Sequence, residues 1–297
     1  MQALFIDDNI HGIKGTEEVS RMEIQVSKYH GCGNDFIMTD GSILKEWTDE
    51  QRTDFIVSVC DRHTGIGADG CIFVRKDPLE MIYYNQDGSR ADMCGNGIRC
   101  FAAYCSDEGI ESSDHFTVQT LAGPKTITVL SRNPFTCQVG MGKPEWGNEK
   151  IGIAGDEKIW EYPMETSQGI LNLYSLYMST IHTVCFVEDA LNPKWEKVGE
   201  EIGMNPLFSA QTNVNFVEKT DGSNLKASTW ERGCGPTLAC GTGMCASGLV
   251  AFILGKCGSS VEIQMKKGTL HIDVDEEDNV YLSGPAVRIL KGSYFNS

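Results

Sequence analysis

The sequence predicts an α/β protein in which one structural unit is used twice. Three observations carry this expectation. The 297 residues exceed a typical single core, so two domains of roughly 150 residues are the starting point. Two cysteines, Cys94 in NQDGSRADMCGNGIRC and Cys240 in WERGCGPTLACGTGMC, each open an apolar-rich run that starts with Gly-X-Gly and closes on a glycine. The closing residues, Gly109 and Gly255, stand at the same interval of fifteen (109 − 94 and 255 − 240). Finally, the cysteines are 146 positions apart (240 − 94), and other segments repeat near that period, as a duplicated fold requires.

In chain order, residues 1–21 lack both a basic start and a long apolar stretch, so they read as an extension and not as a secretion signal or span. From Met22, EIQVSKYHGCGNDFIMTDG predicts a strand, a glycine-rich turn carrying Asn34 and Asp35, and a second strand. TDEQRTDFIVSVCDRH predicts a helix capped at Thr48 or Asp49, with Phe55, Ile56 and Val59 on its core face. GIGADG at 65–70 has dinucleotide-loop spacing, but the strand-like CIFV follows it where a helix should; it reads as a loop beside the active site. MIYYN is a strand leading through Asn85, Asp87, Gly88 and Ser89 to Cys94. After the Cys94 helix, HFTVQTLAGPKTITVL gives two strands around Ala-Gly-Pro.

The second half repeats this order. KYHGCGNDFIMTD at 28–40 is echoed by YMSTIHTVCFVED at 177–189, and GADGCIFVRK at 67–76 by AQTNVNFVEK at 210–219. FTVQTLAGPKTITV at 116–129 is echoed by VEIQMKKGTLHIDV at 261–274. The boundary falls within 135–147. The expected division is a 22–140 domain with Cys94 and a 141–297 domain with Cys240, the last strand being free to return to the first domain.

A net charge of −16 argues against nucleic acid and anionic membrane surfaces, which need Lys/Arg patches. A small polar ligand suits it better. Twelve cysteines contain no C-x-x-C, so neither a zinc site nor a disulfide framework is expected, and the thiols read as reduced in a cytoplasm. Phosphate-loop and pyridoxal signals are missing too; no cofactor and no metal are expected.

A helix N-terminus carries unpaired N–H groups and about half a positive charge, which favours a thiolate and a docked carboxylate. Two such helices facing each other across a cleft can hold one carbon between two thiols. Inverting a carbon that bears hydrogen needs a base on one face and an acid on the other, and a thiol with an ordinary pKa of about 8.5 needs only modest lowering for that work. Charge developing on the carboxylate would be held by the helix starts, substituting for an organic cofactor.

The motifs N-x-DGS-x-A-x-MCGNGIRC and WERGCG-x-T-x-ACGTG, with GNDF near the start, resemble those of diaminopimelate epimerase, a pyridoxal-independent two-cysteine amino-acid epimerase family. The resemblance runs from about Lys28 to the C-terminal strands. It implies two pseudo-symmetric α/β domains, each a curled, mainly antiparallel sheet around a central helix, with the active site between them. It also implies that Cys94 and Cys240 are base and acid, and that Gly95, Asn96, Gly241 and Thr242 cradle the reacting carboxylate. By the same resemblance, Asn34, Asn85, Asn215, Glu231 and Arg232 hold the substrate, largely at its far amino-acid end, while His182 and Glu231 assist the thiols. The family's G-N-P-H is here Ser179-Thr180-Ile181-His182, so Thr180 stands where an asparagine touches the distal group; Gly70 stands where some members place a glutamine.

The function expected is cofactor-independent inversion of a Cα in a small zwitterionic amino acid, LL-/meso-diaminopimelate foremost. A racemase of another amino acid such as histidine is the first alternative, and a non-catalytic amino-acid-binding or thiol redox protein the second. A homodimer is compatible with this reading.

Overall fold

The computed structural model describes residues 22–153, 159–220 and 224–296; the expected extension at 1–21 lies outside them. Strands β1 (Met22–Gly31) and β2 (Asn34–Asp40) form an antiparallel hairpin that closes at Gly31 opposite Asn34. Its two loop residues, Cys32 and Gly33, have φ of 54° and 91°, the backbone of a type I′ turn, whose twist matches the strands. Asn34 and Asp35 therefore open β2 instead of lying in the turn: two residues suffice for the reversal. Helix α1 (Asp49–Cys60) begins in a capping box in which Thr48 Oγ1 accepts from the Gln51 N–H and Gln51 Oε1 accepts from the Thr48 N–H.

The first half continues through β3 (Gly70–Arg75), β4 (Glu80–Asn85), α2 (Gly95–Asp107), β5 (His115–Val118), β6 (Lys125–Arg132) and β7 (Phe135–Gly142). A short α3 (Asn148–Ile151) and β8 (Trp160–Thr166) lead to β9 (Gly169–Tyr177), β10 (Ile181–Phe186), α4 (Lys194–Gly203), β11 (Asn213–Lys219), β12 (Leu225–Glu231), β13 (Gly235–Thr237) and α5 (Gly241–Ile253). Strands β14 (Ser260–Met265), β15 (Gly268–Val274), β16 (Val280–Pro285) and β17 (Val287–Asn296) finish the chain.

The two halves match element by element. β1–β2, α1, β3–β4, α2 and β5–β7 correspond to β9–β10, α4, β11–β12, α5 and β14–β16. One parallel pairing recurs in each half: β2 runs parallel to β3, with Phe36 opposite Gly70, and β10 to β11, with His182 opposite Asn213, whereas the parallel pairing of β12 with β14 belongs to the second half. β8 flanks β9 just as β17, the last strand, flanks β1. One sheet has the order β17-β1-β2-β3-β4, the other β5-β6-β7-β16-β15-β14-β12-β11-β10-β9-β8, with β13 on β12. Pairing of β7 with β16 joins the halves, and positions 140 and 141 both lie in β7.

Curling places one helix of each half inside and one outside. Ile98 and Phe101 of α2 share a single core with Met244, Cys245, Leu249 and Val250 of α5. Every residue from Gly241 to Ala251 is buried, which accounts for a helix with no polar face. Outside, α1 packs Phe55, Ile56 and Val59 against Phe73, and α4 packs Trp195, Val198 and Ile202 with Phe216 and Trp230. No described helix is long and apolar enough to cross a membrane.

Candidate active site

Both central helices begin at their cysteine. Cys94 is the N-cap of α2, with φ −139° and its Sγ accepting from the Gly97 N–H at 3.4 Å. Cys240 is the N-cap of α5, with φ −113°. Cysteine here occupies the place that serine or aspartate usually takes; the Cys94 sulfur takes up an orphan N–H of its first turn, whereas Cys240 makes no side-chain capping hydrogen bond. The helix starts meet end to end: a Cβ added to Gly95 would lie 3.3 Å from the Gly241 Cα, and one added to Gly241 would lie 3.2 Å from the Gly95 Cα. Only glycine at both positions permits this approach without a shift. A cavity of about 610 Å³ lies beside the junction, lined by Cys94, Gly95, Asn96, Cys240, Gly241 and Thr242, within the usual range for a small-molecule site.

Around Cys240 the hydrogen bonds form a chain of fixed direction. Thr229 Oγ1 donates to Asn215 Oδ1 at 3.0 Å, which turns Asn215 Nδ2 toward His182 Nδ1 at 3.2 Å. An amide nitrogen can only donate. His182 therefore carries its proton on Nε2 and donates to Thr242 Oγ1 at 3.0 Å, leaving the Thr242 hydroxyl hydrogen for Cys240 Sγ at 3.5 Å. On the cavity side, the Glu231 carboxylate accepts from Thr237 Oγ1 at 2.5 Å and lies near enough to the Cys240 thiol for each to shift the other's acidity.

The Cys94 side has the opposite polarity. Asn34 Nδ2 donates to Asp69 Oδ2 at 2.6 Å, so Asn34 Oδ1 faces inward and accepts from the Cys94 thiol at 3.6 Å and from Asn96 Nδ2 at 3.3 Å. Asn96 Nδ2 also reaches Ala239 O in the second half, at 2.9 Å. Away from the thiols, Arg232 spans Ala210 O and Thr180 Oγ1, both at 2.9 Å. Asn85 is held between the Tyr83 hydroxyl at 3.0 Å and Ser89 Oγ at 2.9 Å.

The family model described as diaminopimelate epimerase matches residues 26–147 and 174–289. The chain is 38% identical over 284 residues to a diaminopimelate epimerase of Alkaliphilus metalliredigens, covering 93% of this chain and 99% of that one. The chain belongs to the diaminopimelate epimerase family. A relative of the same name from Archaeoglobus fulgidus is 39% identical over 278 residues, 91% of this chain and 96% of its own. Solved structures that share the fold include a hydroxyproline epimerase of Agrobacterium vitis, with TM-score 0.66, 13% identity and 92% and 91% of the two chains covered. A PhzF-family phenazine biosynthesis protein of Bacillus anthracis matches with TM-score 0.66, 14% identity and 92% and 99% coverage. Membership makes the chain an isomerase.

In this diaminopimelate epimerase family member, Asn34, Asn85, Gly95, Asn96, Thr180, Glu231, Arg232, Gly241 and Thr242 all line the cavity with the two cysteines. Asn215 and His182 do not. Both are 0% exposed and sit behind Thr242. Asn215 was expected to touch substrate; its place is corrected by the packing of α5, since a Cβ on Gly243 would lie 2.2 Å from Asn215 Oδ1. Asn213, two residues earlier on the same face of β11, lines the cavity instead, and its Oδ1 accepts from the Arg232 N–H at 2.9 Å. His182 can act on the thiol only through Thr242. Sequence reasoning also passed over Asp69 and Thr237. Asp69 lies in the GIGADG loop, which borders the cavity through that residue. Among the described residues no cluster of three or more His, Cys, Asp or Glu could hold a metal ion.

Electrostatically, burial outweighs the helix starts. The expectation of thiols lowered toward neutrality is corrected: burial pushes Cys94 up to about 11 against the lowering by the Gly97 and Asn96 N–H groups. Burial and the Glu231 charge push Cys240 well above its ordinary value, opposed by Thr242 and the Gly243 N–H. Burial also raises Glu231, against the bonds from Thr237 and Cys240. Both sulfurs are thus protonated at neutral pH, and a thiolate must be made on demand.

Burial, then the Arg232 charge, lowers His182 from 6.5 to about 3. Because the folded value lies below the unfolded one, the neutral ring contributes stability that is full above about 6.5 and declines as pH falls toward 3. The ¹⁵N shifts of the His182 ring are expected to stay those of a neutral Nε2–H imidazole from pH 7.5 to 4.5. A titration near 6.5, or an Nδ1–H ring, would contradict the chain of fixed direction.

Proposed function

We propose that this protein interconverts LL- and meso-diaminopimelate, one of Cys94 and Cys240 removing the hydrogen from one face of a Cα and the other delivering its own proton to the opposite face. The observation that carries this reading is the pair of thiols on facing helix starts, at the wall of one cavity. The reacting carboxylate lies against the N–H groups of Gly95-Asn96 and Gly241-Thr242. Cys240 passes its proton to Glu231, and the resulting thiolate, bonded by the Thr242 hydroxyl, takes the Cα hydrogen. The electron pair moves onto the carboxylate, where the two helix starts stabilise it. The Cys94 thiol then delivers its proton to the opposite face, leaving a Cys94 thiolate; the reverse reaction runs the same steps backward. Cys94 is assigned the acid in this direction because its hydrogen is held by Asn34 Oδ1, whereas Cys240 has a carboxylate to receive its own.

The far wall supports a substrate with a second zwitterionic end. Arg232 is the single Lys or Arg among the described lining residues, and Asp69, Asp92 and Glu231 are its acids. A distal carboxylate has one partner and a distal ammonium several. Histidine, the alternative substrate, has no second carboxylate to use Arg232. Thr180, in place of the family asparagine, accepts from Arg232 and keeps the guanidinium at this wall.

In heavy water, diaminopimelate is expected to exchange its Cα hydrogen rapidly and histidine slowly. Thr180→Asn, which keeps an acceptor and adds donors, is expected to leave kcat/KM for diaminopimelate unchanged or raise it by up to roughly 5- to 150-fold, the range of one hydrogen bond in a closed site. Exchange of histidine alone would overturn the assignment of substrate while leaving the two-thiol chemistry intact.

A further inference from the structure

Arg99, on α2 five residues after Cys94, is 0% exposed. A buried guanidinium ordinarily has a carboxylate beside it, because an isolated charge away from water is costly. Arg99 has none among the described residues. Its Nε donates to Pro285 O at 3.3 Å, its Nη1 to Gly95 O at 2.8 Å, and its Nη2 to Asn96 Oδ1 at 2.9 Å and Cys32 Sγ at 3.9 Å. All four partners are neutral acceptors. The fold nevertheless makes room for it. A Cβ on Gly31 would lie 2.9 Å from Arg99 Nη2, and one on Gly284 would meet Leu270 Cδ2 at 2.4 Å as well as Arg99 Nε at 3.1 Å, so both neighbouring strands carry glycine beside the guanidinium.

We propose that Arg99 is the buried counter-charge of the site, a positioning residue whose missing anion is the Cys94 thiolate and the carboxylate that gathers charge at the start of α2. Its fork grips the two residues that follow Cys94. One arm holds the Gly95 carbonyl, and the other holds the Asn96 carboxamide so that Nδ2 points at Asn34 Oδ1 and Ala239 O. The positive charge is thereby fixed under the first turn and cannot swing into solvent. The shell of Arg99 holds a cation with no carboxylate in contact with it among the described residues; the reaction creates an anion near it twice, on the enolate-like carboxylate and then on Cys94 after it has given up its proton. The field of Arg99 reaches several thiols, Cys32, Cys94, Cys100, Cys137 and Cys245, and opposes their shift upward. Of these five, Cys94 alone lines the cavity.

This inference rests on the two-thiol reading, but its test needs no substrate, so the two can fail separately. Iodoacetamide reacts with thiolate, and the second-order rate of Cys94 carboxamidomethylation at pH 8.5, followed on the Cys94 peptide by mass spectrometry, measures the thiolate fraction. Arg99→Met is expected to slow it more than about threefold, in the direction set by loss of an opposite charge. Arg99→Lys, which keeps the charge and loses the fork, should stay within about threefold of wild type by the same reasoning. A purely structural role predicts the reverse sign, since a loosened cavity exposes Cys94 and labels faster. If Arg99→Met yields no folded protein, Arg99→Gln, which retains donors and removes the charge, takes its place. Unchanged or faster labelling in the neutral variant, or equal slowing in the neutral and lysine variants, overturns the proposal.

Discussion

Replacing either Cys94 or Cys240 with alanine is expected to reduce racemisation of diaminopimelate by at least about 10³-fold, because a general acid or base contributes about 10²–10⁴-fold and the two act on one proton path. The double variant should be scarcely worse than either single one, as expected for groups that work as a unit. Folding should survive both changes. Cys94 is half-buried at the cavity wall, and Cys240, 6% exposed, leaves only a sulfur-sized gap that opens toward the cavity. Serine is expected to restore little, since an alcohol is a far weaker acid than a thiol and the surroundings already disfavour the anion. Kinetics on circular-dichroism-matched variants check this. Either single alanine variant retaining activity within tenfold of wild type would remove the two-thiol account.

Glu231→Gln is expected to lower kcat by about 10²-fold or more, the usual range for one proton-transfer group. Glutamine keeps the acceptor for Thr237 and nearly the same shape, but it cannot take the Cys240 proton. The carboxyl is raised by burial, so the acid limb of the wild-type kcat/KM profile should fall above the ordinary 4.5 of a glutamate: protonating Glu231 removes the acceptor, and activity declines as pH drops through its folded pKa. In the variant that limb should vanish. A kcat within threefold of wild type would assign Cys240 another proton acceptor.

Much of this was legible because the chain is duplicated. Two cysteines before Gly-X-Gly, at one spacing from a closing glycine, locate both helix starts; the echo of 67–76 in 210–219 marks strands that occupy matching places, β3 and β11, each with a parallel neighbour. What could not be read was depth. Asn213 and Asn215 alternate onto one face of β11 and look equivalent in sequence, yet α5 covers the second and leaves the first at the cavity. The sign of the thiol shifts failed for the same reason: a helix start is visible in sequence, whereas burial of the sulfur, which outweighs it here, depends on elements far along the chain. His182 was expected beside the thiols, but its action through Thr242 follows from how β10 packs against the start of α5. Arg99 gave no signal of its own, since an arginine in a helix reads as a solvated residue until its shell of neutral acceptors is seen.

The central claim is that one thiol removes the Cα hydrogen and the other returns a different one. Diaminopimelate should be converted in heavy water to about five per cent, and each isomer examined by NMR for deuterium at Cα, a measurement that follows the fate of the proton through the two positioned groups. The account predicts that the product is deuterated at the inverted centre while the recovered substrate remains protonated, because the returning hydrogen comes from the opposite, solvent-equilibrated thiol. Product that carries the substrate's own hydrogen would contradict it, since a single group would then both remove and replace the proton.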